Sequence, residues 1–291
     1  MDINYELYKV FYYVAKNLSF SYAAEQLFIS QSAVSQSIKT LERRLDQVLF
    51  IRSTKQVTLT KEGEILLKHI EPAINLISRG EKQLCKDPKS GTQLRIAASD
   101  TICRYFLVPH LKDFHSKFPD VHIKVKNGTS VECAKLLERK EVDVIVTNSP
   151  NKALNNMMHI IPVLEFQDVF IYQKEAFPLS NKEVSLEELA NYPILMLEKH
   201  ATTSLFLHNL FQENSLDLVP EIELSSNDLL IDLAKIGLGI AFVPSFCIKE
   251  LDKLSIIHTK EEIPARSLVM AYSKDIPLSD SGKYFINSLT S

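Results

Sequence analysis

Between Phe20 and Leu45 the apolar positions follow helical spacing twice, with almost nothing in between. Ala23, Ala24 and Leu27 mark a first short helix, for which Ser21 reads as the cap, and Ser30 reads as the cap of the next. On that second helix Val34, Ile38, Leu41 and Leu45 form one apolar stripe. At about 100° per residue, Ser32, Ser35, Gln36, Lys39, Thr40 and Arg43 gather on the opposite face. Only Phe28 to Ser30 separate the two segments, so the helices must cross steeply, as in a helix-turn-helix. The periodicity alone also allows a plain amphipathic surface helix with a solvated polar face.

Downstream the period changes. "VLFIRSTKQVTLT" (48–60) alternates like a short β-hairpin with Ser53 to Gln56 at its tip, which places Arg52 and Lys55 on a wing. From Lys61 to about Lys86 the helical period returns, with Ile65, Leu66, Ile70, Leu76 and Ile77 on one face and Pro72 as a predicted kink. Thr60 reads as its cap, and "KDPKSG" (86–91) reads as a hinge. After residue 92 strand and helix patterns alternate, which predicts parallel sheets with helices on both faces. Two such sets, about 90–163 with 266–291 and about 164–265, would make two α/β lobes that share crossover strands.

Composition narrows the function classes. At 291 residues, 45% hydrophobic and 24% charged, the chain suits two or three packed units. No apolar run approaches the roughly 18 residues of a membrane span, and Met1-Asp2 opens without a basic leader, so a cytoplasmic protein is expected. The net charge of −3 hides a local excess. Lys39, Arg43, Arg44, Arg52, Lys55 and Lys61 face only Glu42 and Asp46 in their stretch, a balance suited to a phosphate backbone. Cys85, Cys103, Cys133 and Cys247 have neither disulfide-framework nor zinc spacing, and no cofactor is expected. Enzyme signals are poor: "GLGIAF" places Phe242 where a dinucleotide fingerprint needs its third glycine, and Ser245 in "VPSFC" is no nucleophile elbow.

The order Ala-Ala, Ser-Gln-Ser-Ala-Val-Ser, Leu-Glu, Leu-Phe-x-Arg and Leu-Thr-x-x-Gly, within "AAEQLFISQSAVSQSIKTLERRL" and "LFIRSTKQVTLTKEGE", resembles the LysR-type transcriptional regulators. The resemblance covers the whole chain, more weakly after residue 90, and Phe28 stands where many other helix-turn-helix turns carry Gly. It implies a winged helix-turn-helix over 1–59, a linker and dimerisation helix with hinge over 60–89, and a two-lobed effector domain of periplasmic-binding type over 90–291. It further implies that Gln31, Ser32, Ser35, Gln36, Lys39 and Arg43 face double-stranded DNA with Arg52 on the wing. A homodimer or homotetramer joined through the linker helix is implied, against packing of that helix on its own chain, as is contact with RNA polymerase.

The effector site is expected where strands end and helices begin, since open α/β lobes bind ligands there. That rule selects Ser99, Asp100, Thr101, Thr129, Asn148, His200, Thr202, Thr203 and Phe242. Helix N-termini favour an anion, so a small organic acid is the expected effector. Asp100 leaves two readings open: capping the helix that follows preserves the anion, and pointing into the cleft favours an amine or amphoteric ligand. A transport-type binding module and an α/β enzyme are the rival functions, opposed by the DNA-binding pattern and by the missing catalytic constellation.

Overall fold

The computed structural model describes residues 3–52, 56–84, 93–179, 182–248, 250–251 and 253–290. The chain divides into an N-terminal and a C-terminal compact unit, changing over at residue 91.

The N-terminal unit opens with α1 (Tyr5–Asn17), α2 (Phe20–Leu27) and α3 (Gln31–Leu45), followed by the antiparallel pair β1 (Phe50–Arg52) and β2 (Val57–Leu59). Helix α2 is capped by Ser19, whose Oγ accepts from the Tyr22 N–H at 3.2 Å, and not by Ser21. The helix starts early because Phe20 is already drawn into the core, edge-on to Phe50 at 5.7 Å. Ser30 caps α3 as expected, accepting from Ala33 at 3.2 Å. Val34, Ile38 and Leu41 are fully buried against Val10, Phe11 and Val14. At roughly 1.5–3 kcal/mol per buried side chain, this stripe fixes which face of α3 turns inward.

Helix α4 (Lys61–Leu84) begins at Thr60, whose Oγ1 accepts from the Gly63 N–H at 3.0 Å and donates to the Val48 carbonyl at 2.7 Å. Leu66 and Ile70, expected on a subunit interface, pack with Leu67 on the winged-helix core of their own chain. Ile65, Leu76 and Ile77 stay exposed, because they lie off that contact face. The hinge 86–91 and Lys55 lie outside the described residues.

The C-terminal unit contains two sheets. The first has β3 (Gln93–Ala98), β4 (His122–Asn127), β5 (Val144–Ser149), β6 (Met158–Phe166) and β13 (Arg266–Ser273), in the order β4-β3-β5-β13-β6. The second has β7 (Asp168–Gln173), β8 (Glu183–Val184), β9 (Ile194–Leu197), β10 (Ile222–Leu224), β11 (Ile240–Pro244) and β12 (Leu254–Thr259), in the order β10-β9-β11-β7-β12-β8. Around the first sheet pack a helical run and two further helices. The run comprises α5 (Asp100–Ile102), a π-helical stretch (Cys103–Leu107) and α6 (Val108–Lys117); the others are α7 (Ser130–Glu138) and α11 (Asp280–Leu289). The second sheet carries α8 (Leu186–Leu189), α9 (Thr202–Glu213) and α10 (Asn227–Lys235).

Neither sheet is purely parallel, contrary to the reading of the alternation. β13 runs antiparallel to β5 and β6, and β7 runs antiparallel to β11 and β12. The reason is the chain crossing. β7 enters from the other lobe, so its first residue, Asp168, pairs with Pro244 at the end of β11. In the same way Ser267, near the start of β13, pairs with Ser149 at the end of β5. Strands that leave toward the cleft and strands that arrive from it must run in opposite senses.

Candidate DNA face and effector cleft

The turn between α2 and α3 works without glycine. Phe28 adopts the left-handed conformation at φ 54°, and its side chain is 95% exposed, where a bulky ring meets no neighbour. The N–H of Ile29 closes the turn on the Ala24 carbonyl at 3.1 Å. With the apolar stripe of α3 buried, Gln31, Ser32, Gln36, Lys39 and Arg43 are exposed and Ser35 is half-buried. Glu42 is turned the other way: its Oε1 accepts from the Leu49 and Phe50 N–H groups at 2.9 and 3.3 Å. One of the two acidic residues in the basic stretch is thus used to tie α3 to the start of β1. Arg52 lies over the Phe20 ring at 4.2 Å, a cation–π contact that orders an exposed guanidinium beside the first helical residue of α2.

In the C-terminal unit a cavity of about 360 Å³ opens between the two sheets, a size that suits a small metabolite. Ser99, Asp100, Thr101, Thr129, Asn148, Thr202 and Thr203 line it, all expected from the sequence. His200 does not line it: it is exposed in the turn before α9. Phe242 does not line it either, and packs in the second lobe's core against Phe170 at 4.7 Å. The strand carrying Phe242 runs on to Pro244, so the cleft position falls to Phe246, edge-on to Phe166 at 5.0 Å. Asn127, at the strand end before Thr129, lines the cavity too, and the sequence reading missed Ser130, Glu132, Ser226 and Asn227. "SSND" at 225–228 carried the same strand-to-helix signal as "SDT" at 99–101.

The helix starts around the cavity differ in one respect. Ser99 accepts from Ile102 at 3.4 Å, Ser226 accepts from Leu229 at 3.4 Å, and Thr129 forms a reciprocal capping box with Glu132. Those hydrogen bonds from Thr129 hold the Glu132 carboxyl below its ordinary range, so it stays charged. Helix α9 instead has Ala201 at its cap position and no side-chain acceptor for its first N–H groups. Behind it Thr203 Oγ1 accepts from Arg266 Nη1 at 3.1 Å, and the same nitrogen meets Asp168 Oδ2 at 2.6 Å. This pair is almost wholly buried where the chain crosses between lobes, and among the described residues Arg266 Nε and Nη2 have no hydrogen-bond partner. Burial raises the Asp168 carboxyl above its ordinary range, and the Arg266 charge opposes that rise.

Further side-chain contacts join the lobes around the cavity. Asn148 Nδ2 donates to Thr202 Oγ1 at 3.1 Å and Asn227 Nδ2 donates to Thr101 Oγ1 at 2.9 Å. Asp228 accepts from the Tyr105 hydroxyl at 2.5 Å and faces Arg104 Nε at 3.6 Å. Asp100 does not cap its helix, since Ser99 does; its Oδ1 accepts from Asn127 Nδ2 at 3.4 Å at the cavity wall.

A winged helix-turn-helix followed by a two-lobed domain with a ligand-sized cleft defines a ligand-responsive DNA-binding protein. Residues 88–291 match the family described as LysR substrate binding domain. Residues 5–64 match the bacterial regulatory helix-turn-helix protein, lysR family. The chain therefore belongs to the LysR family of transcriptional regulators, DNA-binding proteins with an effector-binding domain. The HTH-type transcriptional regulator AlsR of Bacillus subtilis is 30% identical over 269 residues, 90% of this chain and 87% of that one. Full-length CbnR, solved in complex with its target DNA, superposes over 99% of each chain with a TM-score of 0.64 at 16% identity. The regulatory domain of Synechocystis CcmR, solved with 2-PG, matches 68% of this chain and 96% of its own at TM-score 0.62 and 23% identity. At these identities the two structures speak for the fold.

Proposed function

We propose that this regulator reads promoter DNA with Gln31, Ser32, Ser35, Gln36, Lys39 and Arg43, holds the backbone with Arg52 and Lys55, and answers to a small organic acid in the cleft. The observation that carries the effector reading is the uncapped start of α9 at the cavity wall, with the buried Arg266 guanidinium behind it. Free N–H groups and the helix dipole attract a carboxylate there. The domains act as 1–59 for DNA, 60–89 for pairing of subunits and 90–291 for sensing. Ile65, Leu76 and Ile77 of α4, exposed on the single chain, form the pairing surface. The cleft binds and releases its ligand without chemistry, so the protein is no enzyme, and its place is the cytoplasm, where promoter and polymerase are. Among the described residues no helix is long and apolar enough to cross a membrane.

The test is titration of the full chain with a panel of organic acids, followed by calorimetry and by fluorescence anisotropy on DNA flanking its gene. An acid that binds, shifts the DNA isotherm and loses affinity in Thr203→Val supports the reading. An acid whose binding is indifferent to Thr203→Val and Thr101→Val refutes the site.

A further inference from the structure

Charge inside the cleft is lopsided. Among the described residues, Asp100 and Glu132 are the charged ones that line it, and no Lys or Arg does. The cations close by are already engaged: Arg266 pairs with Asp168 behind Thr203, and Arg104 faces Asp228. A cleft built for a bare anion would gain from a basic wall, and here one lobe offers carboxylates while the other offers the uncapped start of α9. The two ends of the site therefore call for opposite charges on one ligand.

A second, independent feature agrees. Asn148 and Asn227 are 9% and 4% exposed, line the cavity, and belong to different lobes. Each spends its Nδ2 on a threonine of the opposite lobe, and each leaves its Oδ1 buried with no hydrogen-bond partner among the described residues. An unsatisfied buried acceptor costs about 1–3 kcal/mol, so a pair of them beside one cavity, both closed to solvent as the lobes stand, favours a ligand whose donor they can turn to meet. A carboxylate has no hydrogen to give. An ammonium has three.

We propose that the effector is a zwitterion of amino-acid type, its carboxylate on the first N–H groups of α9 and its protonated amine between Asp100 and the free amide oxygens of Asn148 and Asn227. The proposal rests on the cleft reading above and narrows its organic acid to one that also carries a cationic donor. Because Asn148 and Asn227 already bridge to Thr202 and Thr101, a ligand that engages both amides ties the lobes in the same closed arrangement. Asn148 and Asn227 are then specificity-determining residues, selecting donor-bearing ligands from equally sized acids.

The experiment is calorimetry of the full chain against the twenty common amino acids, with the matched acids lacking the amine and the matched amines lacking the carboxylate. The expected result is binding of at least one amino acid, with its deamino acid and its decarboxylated amine each about tenfold or more weaker. In Asp100→Asn, whose helix keeps its Ser99 cap, the preference for the amino acid over the deamino acid should collapse while thermal melting stays unchanged. Binding of deamino acids as tightly as amino acids overturns the zwitterion and leaves the organic-acid cleft standing. Binding of amines alone, or of no member of any set, overturns both. A preference that Asp100→Asn leaves intact overturns the assignment of the amine to Asp100.

Discussion

Gly63 is the position where one methyl group should disturb DNA binding from the inside. It lies in the first turn of α4, and a Cβ there would stand 2.3 Å from the Leu49 carbonyl oxygen and 2.9 Å from Leu59 Cδ2. Ordinary contact begins near 3.4 Å, so helix and wing must part by roughly 1 Å. Leu49 cannot yield cheaply. Its N–H is held by Glu42 at 2.9 Å and its carbonyl accepts from Thr60 at 3.0 Å. Overpacking of this kind costs about 1–3 kcal/mol, more when the obstacle is backbone. The gain in helix propensity from Gly to Ala returns about 1 kcal/mol at most, so the net effect should be a loss of about 1–2 kcal/mol. The helix supplies its own control, because a Cβ on Gly80 meets nothing within 4 Å. Gly80→Ala should be neutral or stabilising by up to about 1 kcal/mol. Thermal melting of both variants, with anisotropy on promoter DNA, reads the comparison. Gly63→Ala should melt earlier and bind DNA more weakly, since β1 carries Arg52. Equal melting and equal affinity for the two variants would refute the packing argument.

Three further outcomes follow from the same structure. Arg52→Ala should weaken binding to every DNA sequence and lower the salt slope by about one unit, whereas Ser32→Ala and Gln36→Ala should change discrimination by about 1–3 kcal/mol per lost base contact. An unchanged salt slope in Arg52→Ala would remove Arg52 from the phosphate contacts. Ile77→Glu should lower the mass seen by light scattering, while Ile70→Glu should instead lower the melting temperature, because Ile70 packs in its own chain's core. Burial, then the Asp100 charge, pushes the Cys103 thiol up to about 11, and burial pushes Cys133 up to about 12. Both pKa values are raised in the folded state. Stability from the neutral thiols is therefore present below the ordinary thiol range and lost as pH rises through about 11. Alkylation of the folded chain near pH 8, mapped by peptide, should leave both unmodified; rapid labelling of either would contradict the burial argument.

Elements whose cause is local were legible in the sequence, and those whose cause is a crossing of the chain were not. The helix-turn-helix could be read because Ser30, Val34, Ile38 and Leu41 all act within one helix. The cleft could be read where a strand end and a helix cap sit side by side, as at Ser99 to Thr101. Phe242 was misplaced because it lies inside a strand that is buried throughout and runs on to Pro244, so the residues that reach the cavity begin at the strand's end. Leu66 and Ile70 failed because an apolar helix face does not say whose surface it covers. The Arg266–Asp168 pair lies 98 residues apart in sequence, and nothing near either residue announces the other. That pair sits where the chain crosses between the lobes. It joins the first residues of both crossing strands, β7 and β13, and reaches Thr203 at the start of α9. On the proposed reading, a ligand carboxylate at the start of α9 would be felt by the two segments through which the chain passes from lobe to lobe, a route by which occupation of the cleft would reach the geometry of the domain.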